Sequence, residues 1–330
     1  MFSRFKKKNR IVSIELNDFY IRALRFTEGD FASAEVFDVP LPAGIIEDEV
    51  VKEEMQFYEI IKELVKEWGV AKHDLRFFVP DHAVLMRTFE HPPELEVTDL
   101  KGYVGMELGE SIHLPFKNPL IDVYDNKAGD GEAVLFAAPS EDVQTLMSLY
   151  EDVQLVPVEL DVRALCNLRF LKSTNLLKAN HTFLVVDWSV EAASMSIYSD
   201  GNVDFLRYQS IGTSTQNWRY IKQSEGVSQY VYEGNIEEYH IPLTDQAHEV
   251  ERILNFYRFS LHKGEKSVDE IIMMGENPEM TFIVDEVRST LDVPIMVIDD
   301  AYVGNHYPKY GAKHTALIGL SLKGESPNGA

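Results

Sequence analysis

The stretch IVSIELNDFYIRALRF, residues 11–26, alternates apolar and polar side chains on either side of Asn17 and Asp18. Alternation with a period of two predicts half-buried β-strands, and Asn and Asp are typical of the turn between two such strands. Another apolar run, residues 31–39, ends at Pro40 and continues the pattern. The chain is therefore predicted to open with a sheet of consecutive antiparallel strands.

The second half of the chain repeats this opening. TFLVVDW at 182–188 and ASMSIYS at 193–199 flank a turn, and Asp200–Gly201 leads into VDFLRYQ at 203–209. Two halves that begin with the same meander and continue with helix and strand indicate an internal structural duplication.

Helices and buried strands follow each meander. In the first half, an apolar face predicts a helix within Glu49–Trp68, and DLRFFVP at 74–80 predicts a buried strand. In the second half, Thr244–Asp245 is interpreted as the N-cap of a helix, and IIMMG at 271–275 as the next buried strand. Each half is thus expected to be an α/β domain.

Residues 81–153 differ in character and predict a small inserted α+β subdomain. Its helices are expected over Thr98–Leu108 and, with Ser140 as the cap, as far as Tyr150. The predicted division of the chain is a basic tip at 1–10, a first domain at 11–80 and 154–181, the inserted subdomain at 81–153, and a second domain at 182–330 with 212–268 as its smaller subdomain.

The composition is that of a compact acidic protein. Of 330 residues, 45% are apolar, and 31 Lys and Arg against 54 Asp and Glu give a formal charge of -23. These values exclude a largely disordered chain, and the negative field makes nucleic acid an unfavourable partner. The one cysteine, Cys166, cannot form an intrachain disulfide, and no apolar run is long enough to span a bilayer, so a cytosolic location is expected.

The basic tip is the exception to the acidic character. Arg4, Lys6, Lys7 and Lys8 lie beside Phe2 and Phe5 without an acidic neighbour, so they are candidates for contact with anionic lipid. The alternative is a frayed, solvated terminus.

Self-contained catalytic motifs are absent from the sequence. There is no G-x-x-x-x-G-K-[ST], no G-x-G-x-x-G after a strand, no G-x-S-x-G and no H-E-x-x-H, and the ten histidines have no metal-ligand spacing. No catalytic residue and no metal site are therefore predicted.

Several stretches in order carry a family resemblance: KKNRIVSIELNDFYIRALRF (7–26), LPAGIIEDEVV (41–51), SIHLPF (111–116), VPVELDVRAL (156–165), FLVVDWSVEAASMSIYSDGNV (183–203), IIMMG and TALIGLSLK (315–323). The chain resembles the actin-like ATPase superfamily and, within it, the family of the type IV pilus assembly protein PilM. It is also similar in plan to FtsA. The resemblance implies actin-like (ribonuclease H-like) duplicated α/β domains with the inserted subdomain in the first.

The same resemblance implies a nucleotide site between two phosphate hairpins, each with an acidic residue followed by Gly and small hydroxyl residues. In the first hairpin, Glu15 stands at the position of the acidic residue and Asn17 at that of the Gly, and bulky Phe19 and Tyr20 replace small residues. These side chains would obstruct close approach of the backbone to a phosphate.

The second hairpin and the adenosine loop depart from the family pattern as well. Asp187 is retained, but Ser189 replaces a Gly, and Glu191 would repel a polyphosphate. After the buried strand, Gly275 is retained and Glu276 replaces the second Gly of a pair.

We therefore predict a degenerate nucleotide site at Glu15, Asn17, Asp187, Ser189 and Gly275, with no cofactor expected and ATP with Mg only if the degenerate site still binds. The simpler interpretation of these loops is ordinary hairpin turns, in which Asp187 fixes a turn. The rival functional interpretation is an active actin-like ATPase in which Asp187 and Glu15 hold Mg²⁺ through water.

The leading hypothesis is an adaptor at the inner face of the membrane. The resemblance implies that it binds the cytoplasmic tail of a PilN-like membrane protein in a groove between the first domain and the inserted subdomain. Val84, Leu85 and Phe89 are candidate walls of this groove, although for each of them a buried strand position is the stronger interpretation. FtsA-like membrane tethering is a weaker alternative, because the terminal KGESPNGA lacks an amphipathic helix.

Overall fold

The structure is a computed structural model that describes residues 9–28, 30–125, 129–213, 215–222 and 228–324. Its strands are β1 (Arg10–Leu16), β2 (Tyr20–Thr27), β3 (Asp30–Pro40), β4 (Ile46–Glu47), β5 (Val50–Val51), β6 (Asp74–Phe78), β7 (Leu85–Glu90), β8 (Pro119–Tyr124), β9 (Glu132–Pro139), β10 (Val156–Asp161), β11 (Phe183–Trp188), β12 (Ala192–Ser199), β13 (Asn202–Ser210), β14 (Trp218–Lys222), β15 (Ser228–Tyr232), β16 (Glu270–Gly275) and β17 (Ile295–Val297). Its helices are α1 (Glu54–Glu67), α2 (Val97–Glu107), α3 (Ser140–Asp152), α4 (Arg163–Ser173), α5 (Ile236–Asn255), α6 (Met280–Thr290), α7 (Asp300–His306) and α8 (Thr315–Ser321). None of the helices in this part of the chain is long and apolar enough to cross a bilayer.

Two five-stranded sheets share one topology. The first has the order β3-β2-β1-β6-β10 and the second β13-β12-β11-β16-β17. In both, the first three strands form an antiparallel meander and the last two add in parallel, with Ile14 opposite Ala23 in one sheet and Val186 opposite Met195 in the other. The predicted duplication is therefore confirmed at the level of strand order.

Helix α1 covers one face of the first sheet, because Phe57, Ile61, Leu64 and Val65 lie on a single side of it. Helix α3 packs on the same face. The centre of its Tyr150 ring lies 6.3 Å from the centre of the Phe57 ring and 5.5 Å from that of the Phe77 ring. Helix α3 was assigned to the inserted segment in the sequence, but it packs with the core of the first domain.

The inserted subdomain consists of the antiparallel sheet β7-β9-β8 covered by α2. Its small core contains Phe89, Leu100, Val104 and Leu135, each buried. The subdomain is thus an α+β unit with its own core, as predicted.

The C-terminal helix α8 packs on the first domain. Leu317, Ile318 and Leu320 share a buried cluster with Ile11 and Leu24. Gly319 lies so close to α4 that a Cβ would come within 1.9 Å of the Cys166 carbonyl oxygen, and the Ser321 hydroxyl donates to the Ser13 hydroxyl at 2.9 Å. The two ends of the described chain therefore meet in one core.

Two helix starts differ from the sequence prediction. Helix α1 begins at Glu54, not near Glu49, because residues 46–51 form the β4–β5 hairpin, with Asp48 and Glu49 at φ of 53° and 60°. Helix α5 is capped by Asn235, whose side chain accepts from the Glu237 N–H.

Both proposed N-caps are consequently corrected. Thr244 and Asp245 lie inside α5, since the helix runs through Pro242 without ending. Ser140 is the first residue of α3 and forms no side-chain capping bond.

Candidate functional site

The turns of the two β-hairpins meet in the cleft between the domains. Glu15, Asn17, Asp187, Ser189 and Gly275, the residues predicted for the nucleotide site, all line one cavity there. Its volume is about 60 Å³, room for a few water molecules. The five predicted residues therefore lie together at one place in the cleft.

Glu15 is buried and paired with two arginines. Its carboxylate contacts Arg22 at 3.3 Å and accepts a short hydrogen bond from Arg163, and the Tyr20 hydroxyl donates to it at 3.1 Å. Burial raises the pKa of Glu15, but the two guanidinium groups outweigh it, so the pKa lies below its usual value. This carboxylate is held ionised by the protein itself.

Arg163, at the start of α4, forms ion pairs with two further carboxylates. Its Nη2 lies 3.0 Å from Glu49 and its Nε lies 3.0 Å from Asp81. Burial raises the pKa of Asp81 well above its usual value although Arg163 lies beside it, and it raises that of Glu49 too. One cation thus neutralises a group of acids that would otherwise repel one another.

Arg22, on β2, ties the two domains together. Its side chain is fully buried and contacts Glu276 at 3.0 Å and Asp38 at 3.5 Å. It also donates to the Tyr220 hydroxyl at 3.0 Å and to the Lys313 carbonyl at 2.7 Å. The carboxylate of Glu276, the residue at the second Gly position of the family pattern, therefore serves as a partner for an internal arginine.

Three N–H groups of the two turns are bonded to side chains of the same turns. The Asn17 side chain accepts from the Phe19 N–H at 3.1 Å, and the Ser189 hydroxyl accepts from the N–H groups of Glu191 and Ala192 at 3.2 and 3.0 Å. A phosphate loop needs such N–H groups free to point at the ligand. Here the side chains that replace glycine occupy them.

The cavity wall carries a large excess of acid. Eight lining side chains are carboxylates (Glu15, Asp18, Asp48, Glu49, Asp81, Asp187, Glu191 and Glu276), whereas two, Arg163 and Lys313, are basic. Burial, with repulsion from Asp18, Glu49 and Asp48, raises the pKa of Glu191 to about 9. No group of three His, Cys, Asp or Glu side chains among the described residues is arranged to hold a metal ion.

Asp187 and Gly275 have structural partners at this place. Asp187 accepts from the Asn167 side chain at 2.7 Å, and burial raises its pKa. Gly275 has a φ of 112°, and a Cβ there would lie 2.3 Å from the Trp188 carbonyl oxygen. A glycine is therefore required at the end of β16, where its backbone lies close to the end of the neighbouring strand β11, whatever the cavity binds.

A second concavity of about 280 Å³ lies between the first domain and the inserted subdomain. Apolar side chains from β8, β9, β10, α4 and the segment after β6 provide most of its wall: Val79, Val84, Leu120, Ile121, Phe136, Ala137, Ala138, Leu160, Val162 and Leu165. Lys101, Asp122, Asp161 and Lys323 complete the lining. We call it the subdomain groove.

The three proposed groove residues fall in different places. Val84 lines the subdomain groove. Leu85 pairs with Ala137 in the β7–β9 ladder and is not part of the lining. Phe89 is 7% exposed and belongs to the core of the inserted subdomain, so it is a core residue rather than a groove residue.

Some relevant side chains have no signal in the sequence. Arg22 and Arg163 sit in ordinary strand and helix patterns, and their partners come from distant parts of the chain. The groove residues of β8 and β9 were likewise missed, because an apolar residue in a short strand gives no sign of which surface it borders. The basic tip with Arg4, Lys6, Lys7 and Lys8 lies outside the described residues.

Solved structures share this architecture. A chain described as "PilM-PilN type IV pilus biogenesis complex" matches with a TM-score of 0.71 at 17% identity, covering 96% of this chain and 99% of the other. The ethanolamine utilization protein EutJ from Carboxydothermus hydrogenoformans matches with a TM-score of 0.51 at 11% identity over 95% and 89% of the two chains. MreB5 of Spiroplasma citri bound to ADP matches with a TM-score of 0.50 at 8% identity over 96% of each. The actin-like fold predicted from the sequence is confirmed.

Sequence comparison gives the family. No curated protein sequence matches the chain significantly. The family model "Type IV pilus assembly protein PilM" matches residues 19–309, which spans both domains and the inserted subdomain. The chain therefore belongs to the family of the type IV pilus assembly protein PilM.

Proposed function

We propose that this chain is a non-catalytic adaptor of type IV pilus assembly, which holds the cytoplasmic tail of a PilN-like protein at the inner face of the membrane. The observation that carries the proposal is a contrast between two concavities. The subdomain groove is open and mostly apolar, whereas the cavity between the two hairpin turns is small and walled by the protein's own ion pairs. An open concavity of about 880 Å³ adjoins that cavity at Gly275, Glu276 and Lys313.

The groove suits an extended peptide with apolar anchors. Val84, Leu120, Ile121 and Leu165 offer apolar surface from both sides. The two lysines of the wall are already paired, Lys101 with Asp122 and Lys323 with Glu159 and Asp161. A peptide in such a groove gains affinity by burying a few apolar side chains. The PilM-PilN complex among the matching structures supports the choice of a PilN-like partner.

The part of the cleft at the two hairpin turns is unsuited to the phosphates of a magnesium nucleotide for three reasons. The cavity there is only about 60 Å³, its wall has eight acids against two bases, and the N–H groups of Phe19, Glu191 and Ala192 are already bonded to side chains of the turns. Glu191, with a pKa of about 9, is uncharged at neutral pH, but Glu15, whose pKa is lowered by Arg163 and Arg22, stays ionised and would repel a polyphosphate in a medium of low dielectric. The residues present therefore do not fit the cofactor of the superfamily.

An active ATPase remains the rival function, since ADP is bound in one actin-like neighbour and both hairpin acids are present at Glu15 and Asp187. Calorimetry with MgATP separates the two functions. We expect a dissociation constant no tighter than about 1 mM. Micromolar binding, or phosphate release above the level of a heat-treated sample, would favour the ATPase.

The adaptor role is tested with a labelled peptide of the PilN-like tail from the same genome. Val84→Asp places a charge in the groove and should weaken binding at least tenfold, equal to about 1.4 kcal/mol. Val158→Asp is the matched control, because Val158 is 49% exposed and lies on β10 outside the groove lining.

Equal affinity of the two variants would show that the peptide binds elsewhere. If circular dichroism shows that Val84→Asp is not folded, Ile121→Asp on the opposite wall replaces it. Ile121 is only partly buried, so its substitution should spare the fold.

A further inference from the structure

Three large apolar side chains are exposed within six residues where α5 ends. Phe256 is 44% exposed, Phe259 57% and Leu261 44%. Single exposed apolar residues are ordinary on a protein surface, but a contiguous group marks a contact site. We call Phe256, Phe259 and Leu261, with the neighbouring Arg258 and Lys263, the α5 patch.

The local structure presents this patch rigidly. Residues Phe256–Leu261 continue α5 as a wider π-type turn, in which Tyr257 points inward and is fully buried. Its hydroxyl donates to Asp204 at 2.9 Å, and its ring contacts His262 at 4.4 Å. The ring of Phe256 rests 5.8 Å from that of Phe205. Tyr257 therefore anchors the segment while its neighbours face solvent.

The patch lies in a segment of sequence that is more basic than the chain as a whole. Residues 252–266 contain four basic side chains, Arg252, Arg258, Lys263 and Lys266, and one acidic side chain, Glu265, whereas the whole chain has 31 bases against 54 acids. Two of the four are engaged, since Arg252 pairs with Glu249 and Lys266 pairs with Asp200 and Asp204.

The other two bases belong to the exposed surface. Arg258 and Lys263 are both exposed, and the Arg258 guanidinium lies 5.0 Å from the centre of the Phe259 ring. A cation held beside an exposed aromatic ring is the combination that interfacial segments use at membranes.

We propose that the α5 patch docks on the anionic surface of a phospholipid bilayer. Phe256, Phe259 and Leu261 enter the boundary between headgroups and acyl chains, and Arg258 and Lys263 reach the headgroup phosphates. The exposed bases Arg258 and Lys263 favour lipid, because an anionic membrane attracts them and repels most of this acidic chain. Docking through the α5 patch would therefore fix the orientation of the molecule on the membrane.

The test is cosedimentation of the full chain with vesicles of phosphatidylcholine alone or with 30% phosphatidylglycerol, a composition in the range where bases contribute to binding. We expect at least tenfold stronger partition into the anionic vesicles at low salt. Phe259→Glu and Arg258→Glu should each lower that partition at least about fivefold. Ile241→Glu is the matched control, because Ile241 is 65% exposed on the same helix, about 22 Å away along its axis.

Each outcome decides the proposal. Loss of partition in the two patch variants, with Ile241→Glu like the parent and all three native by circular dichroism, supports it. Unchanged partition of Phe259→Glu overturns it, as does a loss seen only when residues 1–9 are removed, which would assign lipid contact to the basic tip. A dimer that Phe259→Glu dissociates, without vesicle binding by the parent, would instead identify the patch as a contact between two copies. None of these results depends on the tail peptide or on Val84.

Discussion

Replacing Arg163 by Met tests whether the interdomain cleft is stabilised by the protein's own charges. The substitution removes the guanidinium and keeps most of the side-chain volume, so the loss of charge dominates the loss of packing. Glu15 would keep Arg22 as a partner, but Glu49 and Asp81 would lose the cation that lies 3.0 Å from each. Two buried carboxylates would then lack compensation.

The size of the effect follows from burial. Breaking a buried ion pair by removing one partner costs about 3–5 kcal/mol. The Arg163 side chain is 12% exposed and Glu49 is 18% exposed, so we expect about 3 kcal/mol, at the lower end of that range. Arg252→Met is the control, because Arg252 is 74% exposed beside Glu249 and should lose less than about 0.5 kcal/mol.

The loss of folding stability caused by Arg163→Met should increase as the pH rises. Burial already raises the pKa values of Glu49 and Asp81 in the folded protein, and removing Arg163 raises them further above the unfolded values of about 4. A carboxyl group whose folded pKa is raised favours folding below its unfolded pKa and loses that contribution as the pH rises through the folded value. The part of the penalty that comes from Glu49 and Asp81 is therefore small near pH 5 and approaches its full size at pH 8.

Urea unfolding of the parent and the two variants at pH 5 and pH 8 measures this difference. A variant as stable as the parent at pH 8 would refute the argument, and so would an equal loss at both pH values. The second result would mean that Arg163 stabilises the protein through packing rather than charge.

Three further substitutions separate structural from functional roles. Gly275→Ala should cost about 2–4 kcal/mol by thermal unfolding, since a Cβ would lie 2.3 Å from the Trp188 oxygen; a native melting temperature would contradict this. Glu191→Gln should stabilise the protein increasingly from pH 5 to pH 9, by at most about 1.4 kcal/mol per pH unit. The reason is that the Glu191 carboxyl group, with a folded pKa of about 9, makes the parent protein less stable as the pH rises over that interval. A stability difference between variant and parent that stays constant from pH 5 to pH 9 would count against the raised pKa. Phe89→Asp should unfold the inserted subdomain, as seen by protease cleavage within it, whereas Val84→Asp should leave it resistant; resistance of both variants would remove Phe89 from the core.

The features that the sequence predicted well are those with a repeating signal. The hairpins of 11–26 and 182–199 alternate with a period of two, and the structure pairs them over the same residues. Helix starts were less accurate where tertiary packing decides them, as at Asn235, which begins α5 well before Thr244. A local sequence pattern shows the period of the apolar residues, but it does not show which segments pack against each other in the fold.

The cleft shows the same distinction. Glu15, Asn17 and Asp187 were found because they stand at fixed positions of recognisable hairpins. Arg22 was not, although it is one of the residues that join the domains, because its partner Glu276 lies 254 positions away. A strand position that alternates as expected gives no sign that a charge there is buried.

The contact between Ser13 and Ser321 has a consequence for how the protein is made. The two residues are 308 positions apart, and α8 buries Ile11, Leu24 and Phe26 of the first sheet. At a synthesis rate of about 5–20 residues per second, roughly 15–60 s pass between the appearance of β1 and that of the helix that covers it. During that interval the nascent first sheet has one apolar face without its partner, so the ribosome-bound chain needs protection from aggregation until its last turn of helix has emerged.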